Sequence, residues 1–383
     1  MPRSLLLFSL LFSLIGCGTN TTLNQDNDTA LQQRIDSIAL SMFQTDTITL
    51  IFVGDVMQHK PQINAAKNSD GTYNYTECFQ HLAKEFKSAD LTIANLETTL
   101  TDGNYSGYPM FSAPKDLAQG LKDSGVNILI TANNHSLDRF TKGVRRTIET
   151  LDSLSIPHLG TYINQEEKDN GHPYYVNIKK KKIAFFNYTY GTNGLKVAPP
   201  TLVNLIDTIQ IKADLAKAKQ DNSDINIVCI HWGEEYFTKQ NKNQVELGKW
   251  LIANGATHVI GSHPHVIQPI EIYKDEVSKE SNVIAYSLGN FISNMSKPHT
   301  DGGMILKLQI IDDNSFLSTQ VSYSLVWVGK PIHTQNKNYI LYPSSFPLDS
   351  LNKQSQSHFK TYFNLADKVM KHNHKEVRSY FIQ

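Results

Sequence analysis

From residue 48 onward, apolar positions follow two alternating rhythms. Short β-rich runs at 48–53, 91–94, 126–130, 225–230, 257–260 and 283–286 are each bounded by polar or glycine-containing turns. Between them, apolar residues recur at helical spacing over 76–87, 114–124, 141–154, 207–220 and 243–253. Gly125 is placed to close the second of these helices. Residues 174–178 and 183–187 flank the run Lys179 to Lys182, which reads as a β-hairpin with a solvated, lysine-rich tip. Residues 304–310 and 317–328 predict a closing β-pair, and a final helix is expected near 359–371. Strands alternating with helices, with a β-rich centre and end, predict an α/β domain in a layered αββα arrangement.

The first 46 residues break this rhythm. After Met1-Pro2-Arg3, residues 4–15 form an unbroken run of apolar and small side chains. That is shorter than the roughly 20 residues a membrane-spanning helix needs, and it fits the apolar core of an export signal. Leu14-Ile15-Gly16-Cys17 resembles a bacterial lipobox, with Cys17 as the lipidated first residue of the mature chain. The polar stretch from Gly18 to Asp28 suits a tether. Four parts follow: a signal peptide over 1–17, a tether and helix over 18–46, the main domain over 47–330, and a more polar C-terminal extension over 331–383.

Charge and cysteine content narrow the partners. Lys+Arg and Asp+Glu both number 36, so no net field draws in nucleic acid, and none is expected as a partner. Cys78 and Cys229 lack any CxxC neighbour and read as buried thiols rather than as a disulfide framework.

Candidate chemistry gathers where strands end. Asp55 follows the first strand and Asn95-Leu96-Glu97 the second, while Asn133-Asn134-His135 lies just past the third. His231-Trp232-Gly233 follows the 225–230 strand, and His263-Pro264-His265 follows the 257–260 strand. In α/β sheets, ligands bind beyond the carboxyl ends of strands, so one pocket can receive all five loops. Carboxylate oxygens, an amide oxygen and imidazoles together suit Mn, Fe or Zn better than Ca or Mg. A carboxylate lying between two ions about 3.5–4 Å apart can bridge them.

Six ordered segments carry a family resemblance. They are Ile51 to Met57, Asn95-Leu-Glu97, Ala132 to Asp138, His231-Trp-Gly-Glu-Glu-Tyr236, Gly261 to Val266, and Tyr286-Ser-Leu-Gly-Asn-Phe291. Over about residues 48–330 they resemble the signature set of CapA-type proteins, associated with capsule and poly-γ-glutamate synthesis. That family is similar to calcineurin-like metallophosphoesterases, which implies a four-layer αββα sandwich of the metallophosphoesterase type and two divalent transition ions (Mn, Fe or Zn). The resemblance makes Asp55 a terminal metal ligand and Glu97 the bridging carboxylate. Asn134 would bind through its amide oxygen, and His231, His263 and His265 would complete the two spheres. His135 becomes the general acid or transition-state donor, and Asp138 either orients it or caps the following helix.

Two departures from the broader phosphoesterase pattern are visible. That pattern begins Asp-x-His, whereas Asp55 is followed by Val56 and Met57, and His59 has a different spacing. Glu97 stands where the pattern has Asp. Around the site, Glu234, Glu235 and Tyr236 are candidates for positioning substrate or a ligand imidazole. Asn290 follows Gly289 at a strand end, in either a substrate-binding or a structural role.

These features predict a lipid-anchored envelope protein with its catalytic domain outside the cytoplasm. One expectation is a metal-dependent hydrolase acting on a phosphorylated, amide-linked or ester-linked envelope substrate. The alternative is a non-catalytic polymer-binding or assembly component beside a membrane polymer synthase. A substrate-binding lipoprotein serving a transporter would leave the carboxylate and histidine cluster unexplained.

Overall fold

The computed structural model describes residues 46–274, 281–312, 317–371 and 377–382. Cys17, the signal segment and the tether lie outside the described residues. The strands in chain order begin with β1 (Asp46–Val56), β2 (Leu91–Leu96), β3 (Ile128–Ile130), β4 (His158–Leu159), β5 (Tyr174–Ile178), β6 (Lys181–Thr189) and β7 (Ile225–His231). There follow β8 (His258–Ser262), β9 (Ile270–Lys274), β10 (Ser281–Ala285), β11 (Asn290–Ile292), β12 (Gly302–Asp312), β13 (Leu317–Gly329) and β14 (Ile340–Pro343).

One sheet runs β14-β13-β12-β1-β2-β3-β4, with the short β11 pairing in parallel with the end of β1. The other runs β9-β10-β8-β7-β6-β5. In the first, β1 to β4 are parallel and β12 to β14 antiparallel. The carboxyl ends of β1, β2 and β3 therefore lie along one edge. The ends of β6, β7 and β8, parallel in the second sheet, do the same.

Alternation along the strands explains the layering. Ile48, Leu50 and Phe52 of β1 join Ile183 and Phe185 of β6 in one core between the sheets. The intervening Ile51 and Val53 face a second core with α1 (Lys60–Ala66), α2 (Ala83–Ser88) and α3 (Asp116–Ser124), through Ala66, Phe86, Leu117 and Leu121. Ala184, Phe186 and Tyr188 of β6 face a third core with Ile211, Leu215 and Ala218 of α5 (Thr208–Gln220) and Leu251 of α6 (Lys242–Ala253). Successive strand residues point to opposite faces, so a strand covered on both sides reads as a continuous apolar run. Each fully buried Ile, Leu or Phe contributes roughly 1.5–3 kcal/mol. The result is helices, sheet, sheet, helices: the expected four-layer αββα sandwich.

Local signals end the helices where expected. The Asp207 side chain accepts from the Ile209 amide at 2.8 Å, capping α5. Asn241 and Gln244 form a reciprocal capping box at the start of α6. Gly125 adopts φ +108° and closes α3, its amide bonding back to Leu121 and Lys122.

Two stretches differ from expectation. The helix over 76–87 is broken into a 3₁₀ turn, Thr76–Phe79, and α2. Phe79 and Phe86 both pack against the ring of Phe291, each 5.8 Å away. A straight helix would separate them by about 10.5 Å along its axis, so the break lets both reach one ring. Residues beyond 330 are also more than an appendage. β14 extends the first sheet, and α7 (Lys353–Lys371) sends Phe359, Tyr362, Ala366 and Met370 into the inter-sheet core. They belong to the same compact unit as the rest of residues 46–383. Their polar composition is that of the solvent face of an amphipathic helix. No described helix is long and apolar enough to cross a membrane.

Cys78 and Cys229 are both buried and free. Burial pushes the Cys229 thiol up to about 12, which keeps it protonated and inert at neutral pH.

Candidate metal centre

Asp55 sits at the end of β1, opposite Asn290 of β11, and its amide donates to the Gly289 carbonyl at 3.0 Å. Gly54 makes that approach possible, because a Cβ there would lie 1.9 Å from the same carbonyl oxygen. Glu97 follows β2, where Glu97 N bonds the Val56 carbonyl at 3.0 Å. His231 ends β7, and His263 and His265 lie just past β8.

These loops from two sheets converge on one buried cluster. Asp55, Glu97 and His231 bring ligand atoms within 4.8 Å of one another, and so do Glu97, His263 and His265. Glu97 is common to both triads. Its Oε1 lies 3.7 Å from His231 Nε2 and 3.8 Å from His265 Nε2. Asn134 presents Oδ1 to His231 Nε2 at 2.9 Å. All six predicted ligands are therefore brought together.

Neighbouring polar groups fix the ligands. His265 Nδ1 faces two acceptors, Asp55 Oδ2 at 3.2 Å and Asn290 Oδ1 at 3.1 Å. It must carry the ring hydrogen, which leaves the Nε2 lone pair directed toward Glu97. Asn290 thus orients a candidate ligand histidine. His231 Nδ1 contacts Ser262 Oγ at 2.9 Å. His263 and His265 adopt φ +101° and +59°, and the His263 amide donates to Asp55 Oδ2 at 3.3 Å. Left-handed backbone at two non-glycine residues is strain of the kind concentrated at functional sites.

The electrostatics describe a place prepared for positive charge. Burial, and then the proximity of Asp55, push the Glu97 carboxyl well above its ordinary range. Both of its oxygens are buried without a hydrogen-bond partner, as is His263 Nδ1. Burial, followed by the neighbouring His265, lowers His263 to about 4. Burial likewise lowers His231 well below its usual value, with His263 and His265 adding to the effect. Neutral imidazoles keep their lone pairs free, and a partnerless buried carboxylate is costly until a cation compensates it. Hard oxygens and borderline nitrogens in this number fit divalent transition ions.

His135 lies beside the cluster, just before α4 (Phe140–Ser153). Its Nδ1 is 2.8 Å from Asp138 Oδ2, and its ring packs edge-on against Phe111 at 4.6 Å. Asp138 Oδ2 also accepts the Phe111 amide at 2.6 Å. Asp138 therefore orients His135, and no side chain caps α4. With its proton on Nδ1, His135 leaves Nε2 available for proton exchange.

Glu235 and Tyr236 border the cluster. Burial, and then the Glu235 carboxylate beside it, push the Tyr236 hydroxyl up, and its ring centroid lies 6.2 Å from that of His265. Met57 is buried, and its main chain bonds Ile292. His59 joins neither triad; its Nδ1 meets Gln62 Oε1 at 3.2 Å and the Asn294 amide at 3.3 Å.

Several residues went unassigned in the sequence. Asn95 donates to Asp55 Oδ1 at 2.8 Å and lies 3.3 Å from His231 Nδ1, and Asn133 in turn donates to Asn95 Oδ1 at 3.2 Å. Asn95 is two residues before Glu97, so strand alternation could have placed both on one face. Tyr190 follows β6 and tilts over His263 at 4.6 Å. The strand-end rule, extended to β6, would have found it.

Comparison with family models matches residues 49–295 to the bacterial capsule synthesis protein family, PGA_cap. The chain belongs to this family. All six candidate ligands fall within the matched stretch, whereas β12 to β14 and α7 lie beyond it. Among curated proteins, it is 27% identical over 295 residues to the capsule biosynthesis protein CapA of Bacillus anthracis. That match covers 74% of this chain and 69% of the relative. It is also 27% identical over 259 residues to the PGA biosynthesis protein CapA of Bacillus subtilis (strain 168), covering 65% of this chain and 64% of the relative. Among solved structures, a 5′-nucleotidase precursor from Thermus thermophilus aligns with TM-score 0.44 and 11% identity, over 85% of this chain and 59% of that one. A 5′-nucleotidase from Candida albicans aligns with TM-score 0.41 and 10% identity, over 84% and 57%.

Proposed function

We propose that this capsule synthesis family member is a metal-dependent hydrolase of the cell envelope, acting on a phosphate ester or on an amide or ester of an envelope polymer of the poly-γ-glutamate type. The observation that carries the reading is Glu97: a carboxylate shared by two ligand triads, buried, with both oxygens partnerless. Asp55, Asn134 and His231 would hold one ion and His263 and His265 a second, with Glu97 between them. Such ions, Mn, Fe or Zn by their donor set, supply polarisation of a substrate oxygen and acidification of water.

The chain's own groups do the rest. Asn290 and Asp55 fix the His265 ring, and Ser262 fixes that of His231. Asp138 holds the His135 proton on Nδ1, so that Nε2 is directed to exchange a proton with a leaving group. Phe111 covers one side of His135 and keeps water from it. Glu235 and Tyr236 are placed to contact substrate at the border. A lipid on Cys17 would tether this domain to the outer side of a bacterial membrane, beside a polymer synthase, and the balanced charge speaks against nucleic acid.

Met57 favours a second reading. Where the phosphoesterase pattern supplies an imidazole, this chain offers a thioether that binds hard cations poorly. An assembly or polymer-binding component on the same fold, holding one ion, would fit that loss.

Metal content per chain, measured on protein beginning after Cys17, separates the two. Near two ions per chain, with turnover of a generic phosphodiester or monoester, is expected, and both should be lost in the His263→Ala/His265→Ala double variant. One ion or none, with no turnover after Mn, Fe and Zn reconstitution, would overturn the hydrolase reading and favour the assembly one.

A further inference from the structure

Large exposed aromatic residues border the centre. Tyr108 is 74% exposed, Phe237 61% and Tyr190 48%. Each sits within one ring contact or one residue of a ring that touches a site histidine. Tyr190 tilts over His263 at 4.6 Å and lies parallel to the ring of His231, 6.3 Å away. Tyr108 packs on Phe111, which packs on His135. Phe237 adjoins Tyr236, whose ring neighbours His265.

The backbone bearing these rings is pinned. Tyr190 N bonds the His231 carbonyl at 3.0 Å, and Tyr236 N bonds the Pro264 carbonyl at 2.8 Å. The buried Gln268 amide donates to the Phe237 carbonyl at 2.8 Å. These bonds fix the backbone at Tyr190, Tyr236 and Phe237, with the rings of Tyr190 and Phe237 exposed. Exposed apolar surface beside a polar cleft marks a ligand groove.

The polar groups among the rings narrow the ligand. Glu235 offers a carboxylate that Tyr236 already contacts. Asn193 is exposed, and its Oδ1 accepts from Asn134 at 3.2 Å, tying the Tyr190 loop to the centre. Lys297 holds its ammonium 3.6 Å from the Tyr236 ring centroid. Aromatic faces flanked by donors and acceptors match a pyranose, which has an apolar C–H face and a hydroxyl edge. An extended glutamyl chain or a glycerol ester would leave the faces unpartnered.

Resting on the hydrolase reading, we propose that the substrate is a phosphate ester borne on a pyranose sugar, whose ring seats against Tyr190 and the rim formed with Tyr108 and Phe237. Hydrolysis breaks the bond between phosphorus and the sugar-side oxygen. Water supplies the new oxygen on phosphorus, and the departing sugar oxygen takes up a proton. Tyr190 is thus a specificity-determining residue rather than a catalytic one.

The test compares glucose 1-phosphate, adenosine monophosphate and glycerol 1-phosphate as substrates of the full chain, its Tyr190→Ala variant and its Tyr190→Phe variant. We expect kcat/KM for the sugar ester to exceed that for the glycerol ester by about tenfold or more. Tyr190→Ala should erase that ratio, mainly through KM, and Tyr190→Phe should keep it, because the ring face remains. A ratio near one in the parent chain, a ratio untouched by Tyr190→Ala, or a preference for the nucleotide would overturn the proposal. If no ester is turned over, the hydrolase reading falls separately. Calorimetric binding of glucose 1-phosphate then decides: affinity lost about tenfold in Tyr190→Ala and kept in Tyr190→Phe upholds the sugar seat, and no binding or equal binding in all three chains refutes it.

Discussion

Two buried histidine–carboxylate clusters in this molecule have opposite internal accounting. On the outer face of the second sheet, under α5, His172 and Asp214 are fully partnered. His172 Nε2 meets Asp214 Oδ2 at 2.9 Å, and His172 Nδ1 meets the Tyr162 hydroxyl at 3.2 Å. Asp214 also accepts from Tyr188 at 2.8 Å and from Gln210 at 2.8 Å. In the candidate metal centre, by contrast, both Glu97 oxygens and His263 Nδ1 are buried with no hydrogen-bond partner. Burial would raise both carboxyls. At Asp214 the bonds from His172, Tyr188 and Gln210 outweigh it and hold the group below its ordinary value, while Glu97 stays well above. A closed network supports the fold by itself, whereas an open one is complete only with a ligand of opposite charge.

Glu97→Gln should break the contrast most strongly. Ligand binding to the folded state alone stabilises it by about 4 kcal/mol at a thousandfold excess over Kd. Added Mn²⁺ should therefore raise the parent chain's melting temperature and leave the variant's nearly unmoved. Without metal the order should reverse or level, since a carboxyl raised on folding costs stability above its unfolded pKa, and the amide does not ionise. Metal binding in Glu97→Gln equal to that of the parent would remove Glu97 from the centre. The matching change in the closed network, Asp214→Ala, strands His172, Tyr188 and Gln210. It should cost about 3 kcal/mol of unfolding free energy in urea with metal stoichiometry unchanged. Lost metal in that variant would mean the two clusters are coupled.

One side of this contrast, the open cluster, was readable before the fold was known, whereas His172 and Asp214 drew no notice in the sequence. Apolar runs located the strands, strand ends located the ligands, and the carboxyl-end rule predicted their convergence. What stayed hidden depends on partners far away in sequence. Asn95 is an unremarkable strand residue until β7 brings His231 beside it. The left-handed backbone of His263 and His265 lies in the loop that meets Asp55, 208 residues earlier. The strand-end rule locates Tyr190 just past β6, but only the rings of His231 and His263 beneath it give that position a meaning. The C-terminal stretch read as a polar extension ending in a helix because an amphipathic helix shows its apolar residues at wide spacing. Phe359 and Tyr362 reach the core only because β13 supplies Trp327 and the β12 backbone supplies the Gly303 carbonyl.

His258 is half-partnered, unlike either cluster, and gives the smallest effect. It opens β8 at the sheet end away from the metal centre, fully buried, with Nε2 3.3 Å from Thr319 Oγ1 and Nδ1 unpartnered. Burial lowers it from 6.5 to about 3. A histidine depressed on folding stays neutral in the folded chain while the unfolded chain takes up a proton. Stability is then complete above pH 6.5 and falls as pH drops toward 3. One proton's difference corresponds to about 1.4 kcal/mol per pH unit at most. Between pH 6 and pH 4, urea unfolding of His258→Asn should show a shallower loss than the parent by about 1 kcal/mol per pH unit. The two histidines of the candidate metal centre with lowered pKa, His231 and His263, act in both chains and cancel in the difference. Parallel pH profiles would mean that His258 is protonated in the folded state, and that a half-partnered site this deep still finds a second partner.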